Sequence, residues 1–206
     1  MNRIEDAIAA LKRGGIILVA DDEDRENEGD FILAAEFATP QAVNLLATEG
    51  RGLICATLPV ERAKELNLKL PVSNGPAPLH GTAFTDSVDY RHGTTTGISA
   101  ADRSATLKAL AAKTTKPNDL ARPGHIFPIL AQPGGVRERR GHTEASVDLC
   151  RLAGLSGVGV LCEVMNADGT MARWPDLQKL AARLNMVLIT VEQLAVWTAE
   201  QKGVSA

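Results

Sequence analysis

The 206-residue sequence is poor in aromatic residues, in cysteine and in long apolar runs, and each shortage closes off a class of function. Phe, Trp and Tyr together make up 3% of the chain, too few for a base-stacking platform on single-stranded nucleic acid. The net charge of −3 leaves no basic footprint, so no nucleic-acid or membrane-surface partner is expected. Cys55, Cys150 and Cys162 are an odd, scattered set without CxxC spacing. That argues against a disulfide framework or a zinc knuckle and makes a reducing, cytoplasmic location the natural expectation. Apolar stretches such as 16–20 are far too short to span a bilayer, and the acidic N-terminus has no signal-peptide pattern.

What is present is ordinary globular material, 45% hydrophobic and 23% charged. Apolar residues at helical spacing predict a helix over 3–13, which Gly14-Gly15 ends before a buried strand at 16–20. Further strands are expected at 31–35, 52–58, 82–89, 126–131, 158–165 and 186–189. The strand at 126–131 carries Pro128 and is therefore expected at an edge or a bulge. Helices are expected at 40–48, 60–66, 99–113, 143–153, 175–184 and 191–200, with loops at 70–80 and 91–97. Strands and helices alternate without repeats or linkers, so the expectation is one α+β (mixed α/β) domain over 1–206, a mixed-order sheet with packed helices.

The composition breaks sharply at Asp21–Asp30, where seven carboxylates and one arginine share ten residues between two apolar strands. Such crowding is self-repelling unless it is solvated or faces cations. A solvated acidic loop is one reading. An EF-hand is not, because Ala35 stands where the twelfth ligand should be and the flanks are strands. Hard oxygen ligands without cysteine suit Mg²⁺ or Mn²⁺, and Arg25 among the acids could hold a substrate oxygen or phosphate.

Arg139-Arg140-Gly141-His142-Thr143-Glu144 precedes a predicted helix, with Thr143 as the expected cap. Backbone N–H groups at such a start, with arginines beside them, suit a phosphate, and His142 could complete a metal site begun by the acidic loop. Solvated arginines and a simple cap are the alternative. His125 follows the expected rigid turn Arg122-Pro123-Gly124 and, as a lone histidine, is more simply read as structural. Glu163 falls inside the apolar run 158–165, where a carboxylate is costly without a partner and, once partnered, is a usable acid or base. Thr94-Thr95-Thr96-Gly97 offers hydroxyls on a loop, and Cys55 reads as a small buried hydrophobe.

Taken together, six ordered segments resemble the 3,4-dihydroxy-2-butanone 4-phosphate synthase family of riboflavin biosynthesis. They are Arg25-Glu26-Asn27-Glu28-Gly29-Asp30, Gly81-Thr82-Ala83-Phe84-Thr85, 95–103, Arg122-Pro123-Gly124-His125, Gly141-His142-Thr143-Glu144-Ala145 and 166–172. The resemblance implies conversion of D-ribulose 5-phosphate to L-3,4-dihydroxy-2-butanone 4-phosphate and formate with Mg²⁺ or Mn²⁺, by a homodimer with active sites at its interface. It makes Glu26 and His142 the metal ligands. Arg25, Glu26, Asp30, Arg139, Arg140, Gly141, His142, Thr143 and Glu163 become substrate contacts, and His125 and Glu163 the essential catalytic side chains. Glu28, Cys55 and Thr95 would lie close by. A chain ending at Ala206 matches the expectation of a monofunctional form, and segments 71–80 or 91–97 are candidates for closing over substrate. Another metal-dependent sugar-phosphate isomerase or lyase, or a divalent-cation-binding module without catalysis, would share parts of this inventory.

Overall fold

The computed structural model describes residues 2–70 and 81–203. Among the described residues, seven strands form one mixed sheet: β1 (Ile17–Ala20), β2 (Gly29–Ala34), β3 (Cys55–Leu58), β4 (Val88–Tyr90), β5 (Leu120–Leu130), β6 (Gly159–Glu163) and β7 (Leu188–Thr190). Their order is β4-β5-β3-β6-β2-β1-β7, with β1–β2, β2–β6, β3–β6 and β4–β5 antiparallel and β1–β7 and β3–β5 parallel. The central strands β1, β2, β3 and β6 are buried along almost their whole length because helices cover both faces. Leu18, Phe31, Leu33, Ala56 and Cys162 face one core, capped by Val43, Leu107, Leu110 and Leu177. These come from α2 (Pro40–Leu45), α4 (Ala100–Ala111) and α6 (Trp174–Leu184). Ile17, Val19, Ile32 and Leu161 face the other core, beneath Ala7, Leu11, Ala145, Leu149 and Leu194. Those come from α1 (Ile4–Lys12), α5 (His142–Leu152) and α7 (Val191–Gly203). The short helix α3 (Val60–Glu65) follows β3 on the first face. The mixed α/β class expected from the alternation is therefore realised as three layers.

Several expected boundaries move, each for a local reason. The helix expected at 40–48 is α-helical to Leu45 and then widens into a π turn, Leu46–Gly50. The strand expected from 52 starts at Cys55, because 51–53 is bent around Glu163. In place of a strand over 82–89 there is one bridge, Phe84 to Ile129, and then the short β4. The Arg122-Pro123-Gly124 turn runs instead as part of β5. Gly124 allows this: a Cβ there would lie 2.0 Å from the Val88 carbonyl carbon. Pro128 does not lie on an edge strand, since β5 sits between β4 and β3, and it pairs in regular register with Ala56; the irregularity that β5 carries falls between Ala121 and Ile126, opposite Val88/Asp89. The loop expected at 70–80 lies outside the described residues apart from Leu70. Gly141 caps α5, and Thr143 falls inside its first turn rather than at the cap.

The loop 91–97 is fastened by α4. Ser99 caps that helix by accepting the Asp102 N–H at 3.0 Å. Asp102 in turn accepts the Thr95 hydroxyl at 2.8 Å and the Thr95 and Gly97 N–H groups, both at 3.1 Å. These bonds, the Thr95 hydroxyl foremost, hold its carboxyl below the usual aspartate range. A depressed folded value means that this stabilisation is complete above the unfolded value of about 3.9 and disappears as pH falls through the folded one. Asp102→Asn is therefore expected to lower the Tm at neutral pH, with the gap to wild type closing below about pH 4. Thermal melts at pH 7 and pH 3 check this, and an undiminished gap at pH 3 refutes it.

Candidate active site

The acidic loop leaves the end of β1 and re-enters the sheet at Gly29. Its organiser is Asp21, a residue that composition could not single out among its neighbours. The Asp21 side chain is fully shielded from solvent. It accepts the Glu28 N–H at 2.9 Å, the Glu26 N–H at 3.2 Å and the Arg25 guanidinium at 2.7 Å. The Asp21 N–H also reaches the Glu28 carbonyl at 3.1 Å. From outside, Arg173 donates to the carbonyls of Glu26 and Asn27. The loop is thus a folded turn, with Asn27 in the left-handed region at φ 55°.

This turn, the N-terminus of α5 and the end of β6 surround one cavity of about 360 Å³. Arg25, Glu26, Glu28 and Asp30 line it from the hairpin, Arg139, His142 and Thr143 from the helix start, and Glu163 from β6. Sheet register explains part of the convergence: Asp30 on β2 lies directly opposite Glu163 on β6. Thr82, Phe84, Ile129 and Leu161 complete the wall.

The charges in this cavity are unequal. Glu26 approaches His142 at 3.6 Å and Arg25 at 2.8 Å. The His142 contact above all, opposed by burial and aided by Arg25, holds the Glu26 carboxyl to about 2. Asp30 is 3% exposed, and its Oδ1 has no hydrogen-bond partner among the described residues. Burial first, then the Glu163, Glu26 and Glu28 carboxylates, push it up to about 7 against the pull of His142. Burial works against protonation of His142, but Asp30, Glu26 and Asp21 outweigh it and raise the imidazole to about 9. Glu28 is raised by burial and by Glu26. Desolvating an unpaired ion costs several kcal/mol, so these groups are tolerable only facing one another or a cation.

One ligand atom each from Asp21, Glu26 and His142 lies within 4.8 Å of the others. Asp21 is already engaged as the clamp of the loop, whereas His142 Nε2 is buried without a partner among the described residues. Carboxylate oxygens and an imidazole are the donors of a hard divalent ion, so the set fits one.

Glu163 was expected deep in a strand; it is half-buried at the β6 end, and its partner is the Leu53 N–H at 2.8 Å. Gly52 makes that approach possible, since a Cβ there would fall 2.5 Å from Glu163 Oε2. Five further candidates do not line the cavity. Gly141 is the N-cap of α5, behind the wall that Arg139, His142 and Thr143 form. Arg140 is exposed and pairs with Glu192 on α7. Cys55 is buried at the start of β3, its thiol pushed up by burial and by Glu163 and Asp30. Thr95 is held by Asp102. His125 lies on the exposed side of β5, where Asp89 accepts its backbone N–H at 2.9 Å and its Nδ1 at 2.7 Å. A Cβ on Gly97 would meet Asp89 Oδ2 at 2.1 Å, so the glycine of the Thr-rich loop packs directly against this pair. Asp21, Asp89, Glu144 and Arg173 escaped the sequence reading because nothing local distinguishes them; only the fold supplies their partners.

The sequence profile of the 3,4-dihydroxy-2-butanone 4-phosphate synthase family matches residues 5–197. The chain is 54% identical over 192 residues to the 3,4-dihydroxy-2-butanone 4-phosphate synthase of Agrobacterium fabrum, covering 93% of this chain and 90% of that protein. It is 53% identical to riboflavin biosynthesis protein RibBA of Bacillus subtilis, covering 93% of this chain and 48% of that one. Among solved structures, a 3,4-dihydroxy-2-butanone 4-phosphate synthase in complex with two magnesium ions superposes with a TM-score of 0.93 at 41% identity, covering 98% and 99% of the two chains. That of Candida albicans superposes with a TM-score of 0.87 at 44% identity, covering 96% and 98%. An acidic hairpin turned onto a histidine-bearing helix start is thus set in a sheet whose sequence and shape are both shared with these proteins, and the chain belongs to the 3,4-dihydroxy-2-butanone 4-phosphate synthase family of riboflavin biosynthesis.

Proposed function

We propose that the cavity converts D-ribulose 5-phosphate to L-3,4-dihydroxy-2-butanone 4-phosphate and formate, residues 1–206 acting as one synthase domain in the cytoplasm. The observation that carries this reading is the convergence of the Arg25–Asp30 hairpin with the Arg139–Thr143 helix start in a single cavity of about 360 Å³. Its two sides differ in chemistry, one fit to hold protons and a cation, the other an anion.

The reaction removes a proton beside a ketone and passes through an enediolate. Glu26 and His142 would hold Mg²⁺ or Mn²⁺, whose positive charge lowers the energy of neighbouring substrate oxyanions. Asp30, raised to about 7, can take up and return a proton near neutral pH. Glu163, fixed by the Leu53 N–H across the sheet from Asp30, is placed for a second transfer. Arg139 and the first N–H groups of α5 suit the phosphate, anchoring the substrate away from the reacting carbons. Arg25 and Thr143 contribute further donors.

His125 requires a different argument. Asp89 takes up its Nδ1 side, which leaves Nε2 to act as base or acid. Yet His125 is exposed, and neither residue lines the cavity. A second copy of the chain, docked so that its own His125 enters this cavity, reconciles the two facts and supports a homodimer with interface active sites. The neighbouring Ile98, 54% exposed, is an apolar side chain that such docking would cover.

Glu26→Gln is expected to lose divalent-ion-dependent formate release while keeping its circular dichroism; near-normal formate by NMR would remove the site. Arg139→Ala should act chiefly on KM, and an unchanged KM would detach the phosphate from this arginine. Mixing inactive His125→Ser with inactive Glu26→Gln chains should restore about a quarter of wild-type activity, because half of the dimers are mixed and each mixed dimer regains one complete site. No recovery after confirmed subunit exchange would place His125 in its own protomer's site or outside catalysis.

A further inference from the structure

Glu144 stands one residue beyond the helix-start segment and is 1% exposed. Its Oε1 accepts the Gln132 N–H at 2.9 Å, and its Oε2 accepts Arg139 Nη1 at 2.6 Å. Arg139 reaches it by folding back across Gly141, where a Cβ would lie 2.3 Å from Arg139 Nη1 and 2.9 Å from Glu144 Oε2. A buried carboxylate, a glycine too close for any side chain and an arginine on the cavity wall therefore form one packed unit.

The placement is informative because it works against simple electrostatics. A carboxylate beside an arginine offsets part of the positive charge that an anion would feel, so Glu144 does not serve anion binding by its charge. Its effect is geometric: with the Gln132 N–H on one oxygen and the guanidinium on the other, it fixes the plane and height of the Arg139 fork. A guanidinium binds an oxyanion well only when its fork is held in register with the anion's oxygens. We infer that Glu144 is a positioning residue for Arg139, setting the affinity and the orientation of the phosphate end of the substrate. The inference rests on the reading of Arg139 as a phosphate ligand.

The test is a double-mutant cycle with Arg139→Ala, Glu144→Gln and the double variant. It is read as Ki for inorganic phosphate as a competitive inhibitor, together with KM, kcat and Tm. Glutamine keeps the size of the side chain but cannot accept at both ends. Glu144→Gln is expected to raise Ki and KM about tenfold with kcat changed by less than about threefold, and to add less than about twofold once Arg139 is gone. If Arg139→Ala leaves Ki unchanged, the phosphate reading itself fails. If Arg139→Ala weakens phosphate but Glu144→Gln does not, or if the two effects multiply in the double variant, the positioning role is overturned and Glu144 serves only the fold. If Glu144→Gln melts below the assay temperature, Glu144→Asp decides instead. It keeps the charge but is too short to hold both the Gln132 N–H and the guanidinium in place, so weakened phosphate binding upholds the inference and an unchanged Ki overturns it.

Discussion

Seven carboxylates in ten residues can stand at the end of a buried sheet only if each one that faces inward is either met by a donor or cation or able to hold its proton. Asp21 meets two backbone N–H groups and Arg25, and thereby folds the loop. Glu26 meets Arg25 and His142, which joins the loop to α5. Asp30 meets too little opposite charge and is raised to about 7. The same constraint that makes the hairpin foldable therefore also distributes its acids into a clamp, an ion-pair partner and a proton-exchanging group.

That distribution depends on sheet order. β2 lies between β1 and β6, and the antiparallel β2–β6 register sets Asp30 across from Glu163. Because the two strands run in opposite directions, a residue at the start of one meets a residue at the end of the other. The mixed order also leaves the ends of β1 and β6 on the side where α5 begins. Charge-bearing termini of separate elements are thus collected at one end of the sheet while the middles of β1, β2 and β6 stay wholly apolar.

Much of this was legible in the sequence where a local pattern carried it. The charge break at Asp21–Asp30, the capping Ser99 of α4 and the helix start after Gly141 each have a chemical signature within a few residues, and each falls where expected. What was not legible depends on partners far along the chain. Glu163 reads as a costly buried charge until the Leu53 N–H, 110 residues away, is brought to it. The Arg122-Pro123-Gly124 segment reads as a turn until β4 is laid against it. Thr143 reads as a cap because threonine favours that place, yet Gly141 takes it, leaving the backbone open for Arg139 to cross. Asp89 is one acid among many until β5 sets His125 upon it.

The two ends of the cavity divide the work of catalysis between rigidity and exchange. At the helix start, Arg139, Gly141 and Glu144 are packed so closely that the guanidinium has little room to move. Binding energy from a phosphate held there goes into orientation rather than into ordering a loose side chain. At the hairpin, neighbouring acids are driven apart, Glu26 down to about 2 and Asp30 up to about 7. One carboxylate is then permanently charged and suited to hold a cation, while the other changes its protonation near neutral pH. Separation of acid strengths by environment is what lets a single residue type serve both roles. Here it arises because Glu26 has a counter-ion on each side and Asp30, a few residues further into the sheet, has been drawn out of water.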